Sequence, residues 1–97
     1  MSPARRDTGA PSVDLHGLRP SDALAKLARA IHAARVRGAT EIVAITGRGA
    51  SNTTGEPVLR TKVERWSEGD EARRLGVRGY ERESKGGALR LRHGPAR

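Results

Sequence analysis

Residues 13–17, Val-Asp-Leu-His-Gly, place a carboxylate and an imidazole two positions apart at the end of a short apolar run, then stop at a glycine. On an extended strand, residues i and i+2 point to the same side. Asp14 and His16 therefore share a face, and the carboxylate can orient and polarise the ring. A second stretch, Thr46-Gly47-Arg48-Gly49, adds a hydroxyl, a guanidinium and two glycines. Glycines let backbone N–H groups approach an anion closely. Together these groups suit phosphodiester cleavage. Imidazole is the side chain best suited to proton transfer near neutral pH, and a guanidinium fork stabilises charge building on phosphate. Asp14, His16 and Arg48 are the candidate catalytic residues. Thr46, Gly47, Gly49, Arg60, Arg90 and Arg92 are the candidate nucleic-acid contacts.

These residues are useful only if the fold brings them to one place. Val13 to His16 reads as a first strand, preceded by residues 1–12 as a flexible leader and followed by Gly17. Pro20 suits a first helical turn, and Leu24, Leu27, Ile31 and Ala34 recur at spacings of three and four, the apolar stripe of a helix ending near Gly38. Glu41 to Thr46 is an unbroken apolar run, the pattern of a central strand covered on both faces. Strand, helix and strand in succession make a βαβ unit with two parallel, neighbouring strands. Their C-terminal ends emerge on one edge, where open α/β sheets bind ligands. Asp14 and His16 sit at one such end and Thr46 to Gly49 at the other.

Farther along, GRGASNTTGEP is a polar loop that lacks the Lys-Ser/Thr of a phosphate-binding P-loop. A second helix follows, carrying Val58, Leu59, Val63 and Trp66, with an anion-friendly N-terminus around Gly55 to Val58. Residues 67–75 are charged and break the pattern. Val77–Glu83 and Ala88–Arg92 read as two further strands joined by a turn at 84–87, the last alternating Leu89 and Leu91 with Arg90 and Arg92 to give one basic face. The expected fold is α/β, a β-α-β-α-β-β two-layer sandwich spanning residues 13–93, with 94–97 as a tail. His32 reads as solvated surface, His93 has no evident partner, Trp66 is core, and Tyr80 packs on the sheet.

Composition narrows the partners. Of 97 residues, 19 are Lys or Arg against 11 Asp or Glu, a net charge of +8, and 16 of the 19 are arginine. Such a balance favours polyanions, nucleic acid first. The chain has no cysteine, which excludes disulfides and thiolate zinc sites and suits a reducing compartment. No apolar run is long enough to span a bilayer, and the leader lacks the apolar segment of a secretory signal. A cytoplasmic monomer with no membrane role is expected.

Val13-Asp14-Leu15-His16-Gly17-Leu18, then Ile45-Thr46-Gly47-Arg48-Gly49, then Leu59-Arg60-x-x-Val63, then Gly86-Gly87-Ala88 before a closing strand resembles the Smr (small MutS-related) domain over residues 13–93, about four fifths of the chain. The resemblance implies a sandwich like the C-terminal domain of translation initiation factor three, and an involvement in nucleic-acid cleavage: some members nick DNA, others cut RNA, including messenger RNA on stalled ribosomes. It implies that Asp14 and His16 match the acidic and His positions of the first motif and Arg48 the basic residue of the second. Thr46 stands where many bacterial members carry a His, so the second histidine is missing. Forms with Thr there resemble RNA-cleaving members, with Arg48 as phosphate ligand. The late glycine motif is shortened to Gly86-Gly87-Ala88.

The expected function is an endonuclease acting on single-stranded or ribosome-exposed RNA. His16 is its general base or acid, Asp14 the orienting carboxylate and Arg48 the phosphate stabiliser. The sequence offers no carboxylate cluster with metal spacing, which favours the RNA's own 2′-hydroxyl over a metal-activated water and requires no cofactor. The alternatives are a Mg²⁺-dependent DNA-nicking enzyme and a non-catalytic module that binds RNA or the ribosome.

Overall fold

Four small or aliphatic side chains on one helix organise the interior. Ala23, Leu27, Ile31 and Ala34 are buried along the first helix, a stripe set one residue from the expected one at its start, where Leu24 is only partly covered. The structure, a computed structural model, describes residues 10–47, 58–83 and 87–94. Its elements run β1 (Ser12–Asp14), α1 (Pro20–Val36), β2 (Glu41–Ile45), α2 (Val58–Ser67), α3 (Asp70–Arg74), β3 (Val77–Arg82) and β4 (Ala88–His93). Pro20 opens α1 at a position where its missing N–H costs nothing. Gly38 closes the helix with φ +88°. The Gly38 N–H donates to Arg35 O and the Ala39 N–H to Ala34 O, the paired bonds that satisfy the last carbonyls of a helix.

The sheet order is β1-β2-β4-β3, with β1 and β2 parallel and the other pairs antiparallel. The βαβ unit thus forms as expected, with both strands' C-terminal ends on one edge. All three helices lie against one face. That face carries Val13, Ile42, Ala44, Leu89, Leu91 and Val77, which pack with Leu15, Val63 and Ala72 from outside the sheet. Leu15, Leu27, Ile31, Leu89 and Leu91 have no exposed surface. Each such side chain stabilises the fold by about 1.5–3 kcal/mol.

Several features of the structure depart from the sequence reading. Burial along β2 alternates, with Ile42 and Ala44 covered and Glu41, Val43 and Ile45 half-covered. Its second face belongs to the open side of a two-layer sandwich, so β2 is not covered on both faces. Residues 70–74, expected to lie outside any element, form α3, whose single apolar residue, Ala72, is fully buried. One small side chain leaves no periodicity to read. And β1 ends at Asp14, so His16 is not on the strand at all.

Candidate active site

What replaces the last part of the expected strand is a turn built from Asp14 itself. Asp14 Oδ1 accepts from the backbone N–H of His16 at 3.1 Å. This is the bond by which Asp side chains mimic a backbone turn. The Leu18 N–H then donates to Leu15 O at 3.2 Å, with Gly17 at φ +82° as the third residue of that turn. A turn that needs φ > 0 there needs glycine. Leu15, between the two ionisable residues, is fully buried and its N–H donates to Ile45 O at 2.7 Å. Leu15 is the anchor; His16 occupies the exposed corner.

The same Oδ1 also meets His16 Nδ1, at 2.6 Å. Asp14 and His16 are therefore brought together, by a turn rather than by strand alternation. The hydrogen bonds from the His16 side chain and backbone hold the Asp14 carboxyl below its ordinary value. An ionised carboxylate can only accept, so Nδ1 carries a proton in this contact, and in the neutral tautomer that leaves Nε2 as the acceptor. The two side chains are 54% and 65% exposed. A contact this exposed contributes little to stability, so the fold does not require this one.

The second motif arrives beside the first. Gly47 has φ +83°, and a Cβ placed on it would lie 3.3 Å from the His16 Cβ. The N–H groups of Thr46 and Gly47 both donate to Gly87 O, at 3.0 Å each. Residues 14–17, 46–47 and 87 thus converge on one sheet edge. The roles within that cluster differ from those expected. The Gly47 N–H is spent on Gly87, so Gly47 contributes its lack of a side chain, not a donor for phosphate. Thr46 is buried and its hydroxyl donates to Gly47 O at 3.3 Å, which makes it a support for the loop. Arg48 and Gly49 lie outside the described residues, as do residues 55–57 before α2.

The remaining candidate contacts are elsewhere. Arg60 sits on α2 with its Nε 3.9 Å from Glu64 Oε2. Arg90 lies on the open face of the sheet, where Nη1 donates to Glu41 at 2.9 Å and Nε to Glu83 at 3.0 Å. Arg92 donates to Glu81 at 3.0 Å. That face carries Asp14, Glu41, Glu81 and Glu83 around these two guanidiniums, so it is not the basic face expected from the alternation. One neighbour went unnoticed in the sequence: Lys26 of α1 donates from Nζ to the Asp14 carbonyl at 3.1 Å, placing an ammonium beside the pair. Its exposed position on the helix gave no sign of this contact across 12 residues.

Three motifs gathered at one edge of a β1-β2-β4-β3 sheet have a counterpart among known families. The Smr domain profile matches residues 13–91. The chain belongs to the Smr domain family. Smr domains occur in nuclease-related and nucleic-acid-binding proteins. The crystal structure of the Smr domain of Thermus thermophilus MutS2 superposes with a TM-score of 0.71 at 22% identity, covering 89% of this chain and 100% of that one. The solution structure of the SMR domain of NEDD4-binding protein 2 gives 0.68 at 23% identity, covering 98% and 97%. At such identities the likeness shows the fold. No curated protein matches the sequence. Among the described residues, no helix of this Smr domain is long and apolar enough to cross a membrane.

Proposed function

We propose that this Smr domain is an endonuclease that cleaves phosphodiester bonds in RNA, single-stranded or exposed on the ribosome. The observation that carries the reading is the 2.6 Å contact from Asp14 Oδ1 to His16 Nδ1 in a solvent-facing turn. It fixes the tautomer and leaves Nε2 for substrate, which is the arrangement a general base requires. In the proposed step, Nε2 takes the proton of a ribose 2′-hydroxyl and the 2′-oxygen bonds to phosphorus. The bond from phosphorus to the 5′-oxygen breaks, and that oxygen takes a proton from solvent. The products are a 2′,3′-cyclic phosphate and a 5′-hydroxyl, and His16 returns its proton to solvent. Arg48, which directly follows Gly47, is assigned to the phosphate charge on the strength of its sequence position.

A Mg²⁺ at this edge would take Asp14 as its carboxylate ligand, with substrate phosphate and water completing the shell. Its chemistry would be to activate an attacking water. Among the described residues, no three His, Asp or Glu side chains converge to hold a metal, and no step above runs through one. The test is product chemistry: RNA with a single 2′-deoxy nucleotide at a mapped cleavage position. Loss of cleavage at that position and a cyclic phosphate at the others are expected. Cleavage that ignores the deoxy substitution points instead to an attacking water, and to DNA as well as RNA as substrate.

A further inference from the structure

The opposite end of the sheet holds a concavity that the Asp14–His16 edge does not use. It has a volume of about 570 Å³ and lies between the α2–α3 turn and the start of β3. Arg73, Arg78 and Arg92 line it, with Glu68 as its carboxylate and Tyr80 on its wall. The strand irregularity between Val77 and Gly79 explains why these cations gather there. Arg78 is the bulged residue, and a bulge re-aims a side chain out of the ladder. Its guanidinium lies over Gly94, 3.3 Å from where a Cβ would sit. Gly79 leaves a slot at the strand edge, and Arg92 lies across it with Nη2 3.1 Å from the missing Cβ. Arg92 thereby reaches from the open face round to the cleft.

Part of the charge of this group is unspent. Among the described residues Arg78 has no carboxylate partner. Arg73 is 4.0 Å from Asp70 across an exposed pair, which holds it weakly. Only Arg92 has a close acid, Glu81, and Glu68 is occupied by the Tyr80 hydroxyl at 3.2 Å. The open face offers a polyanion four carboxylates against two guanidiniums. On the helical side, Lys62 and Arg65 stand exposed on α2. That helix, about 15 Å long, ends at Ser67 on the cleft.

We infer that the Arg73–Arg78–Arg92 cleft is a second nucleic-acid site, which grips backbone phosphates of the strand whose cleavage is placed at Asp14 and His16. The inference rests on the proposed nuclease reading for the identity of its ligand. By register, Asp14, Ile45 and Ala88 mark one end of the sheet and Val77 and His93 the other. Six residues of β4 separate the ends by roughly 20 Å. That is about six phosphates along one strand at duplex spacing. A short oligonucleotide can occupy one site, and only a longer one reaches both.

The test is anisotropy titration of labelled single-stranded RNAs, one of about three nucleotides and one of about twenty, across a salt series. It compares wild type, Arg73→Ala/Arg78→Ala and Arg73→Lys/Arg78→Lys. Both positions are exposed, so the variants keep the fold, which circular dichroism checks. The alanine pair should weaken long RNA on the order of tenfold and lower the salt slope by about 1.4, two phosphates' worth. The short RNA, which reaches one site at a time, should lose less affinity than the long one, and the lysine pair should recover most of the slope. An unchanged affinity and slope for long RNA in the alanine pair overturns the inference while cleavage by wild type still stands. Lost binding of a poly-glutamate probe with intact RNA binding overturns it in favour of an acidic protein partner. Cleavage judges the nuclease reading and binding judges this one, so either can fail alone.

Discussion

Gly47 passes so near His16 that a single added methyl group would sit 3.3 Å from the His16 Cβ. Its φ of +83° is one that L side chains rarely adopt. Gly47→Ala should lower stability by about 1–2 kcal/mol through the backbone alone. It should also reduce cleavage by more than that loss explains, because the methyl group pushes on the Asp14–His16 turn. Thermal melts and initial rates on the same preparation separate the two effects.

Asp14→Asn keeps an oxygen that can accept from the His16 backbone, so the turn should survive. What is lost is the negative charge that holds the ring's tautomer. Cleavage is expected to fall by about 10²–10⁴-fold, the usual weight of general acid–base catalysis, with RNA affinity and melting temperature nearly unchanged. A variant that loses both rate and melting temperature would mark Asp14 as a structural residue.

The Asp14 carboxyl is held below the ordinary aspartate value by the His16 side-chain and backbone hydrogen bonds. The sign follows: its contribution to stability is present above the unfolded value and is lost as pH falls through the lower folded value. NMR titration of the Asp14 side chain should give a midpoint below that of an ordinary aspartate. His16→Ala should move that midpoint upward, since it removes the largest cause. A midpoint that does not move would show that the contact is absent in solution.

Arg90 is spoken for by Glu41 and Glu83. Arg90→Ala should therefore cost about 1 kcal/mol of stability after solvent screening, while changing RNA affinity by less than the Arg73/Arg78 pair does. Chemical denaturation and the same anisotropy titration decide it.

His93 is buried, and its Nδ1 lies 3.0 Å from Gly94 O, leaving Nε2 without a partner among the described residues. Gly94 O also accepts from Arg35 Nε at 3.2 Å, so it stays paired if the imidazole is removed. His93→Leu should be neutral or stabilising by about 1 kcal/mol. A loss of several kcal/mol in denaturant melts would mean that Nε2 has a partner after all.

Much of this was readable from the chain. The α1 stripe, the parallel pair and the Asp14–His16 proximity follow from local spacing. The manner of that proximity does not, because a side-chain turn and a strand place i and i+2 together equally well. Arg90 and Arg92 alternate as expected, but their charge depends on which strands flank β4. Glu41 and Glu81 become their partners only once the β2-β4-β3 order is known. Lys26 was hidden for the same reason, since its contact crosses from helix to strand end. The bulge at Arg78 exists only relative to β4 and leaves no mark on the sequence of β3.

The most direct measurement is cleavage of end-labelled single-stranded RNA and the matching DNA, in EDTA and in Mg²⁺, by wild type and His16→Ala at fixed ionic strength. RNA cleavage that persists in EDTA and disappears in the variant is the expected result. Equal behaviour of the two proteins, with RNA bound but not cut, would contradict it and leave Asp14 and His16 as parts of a turn.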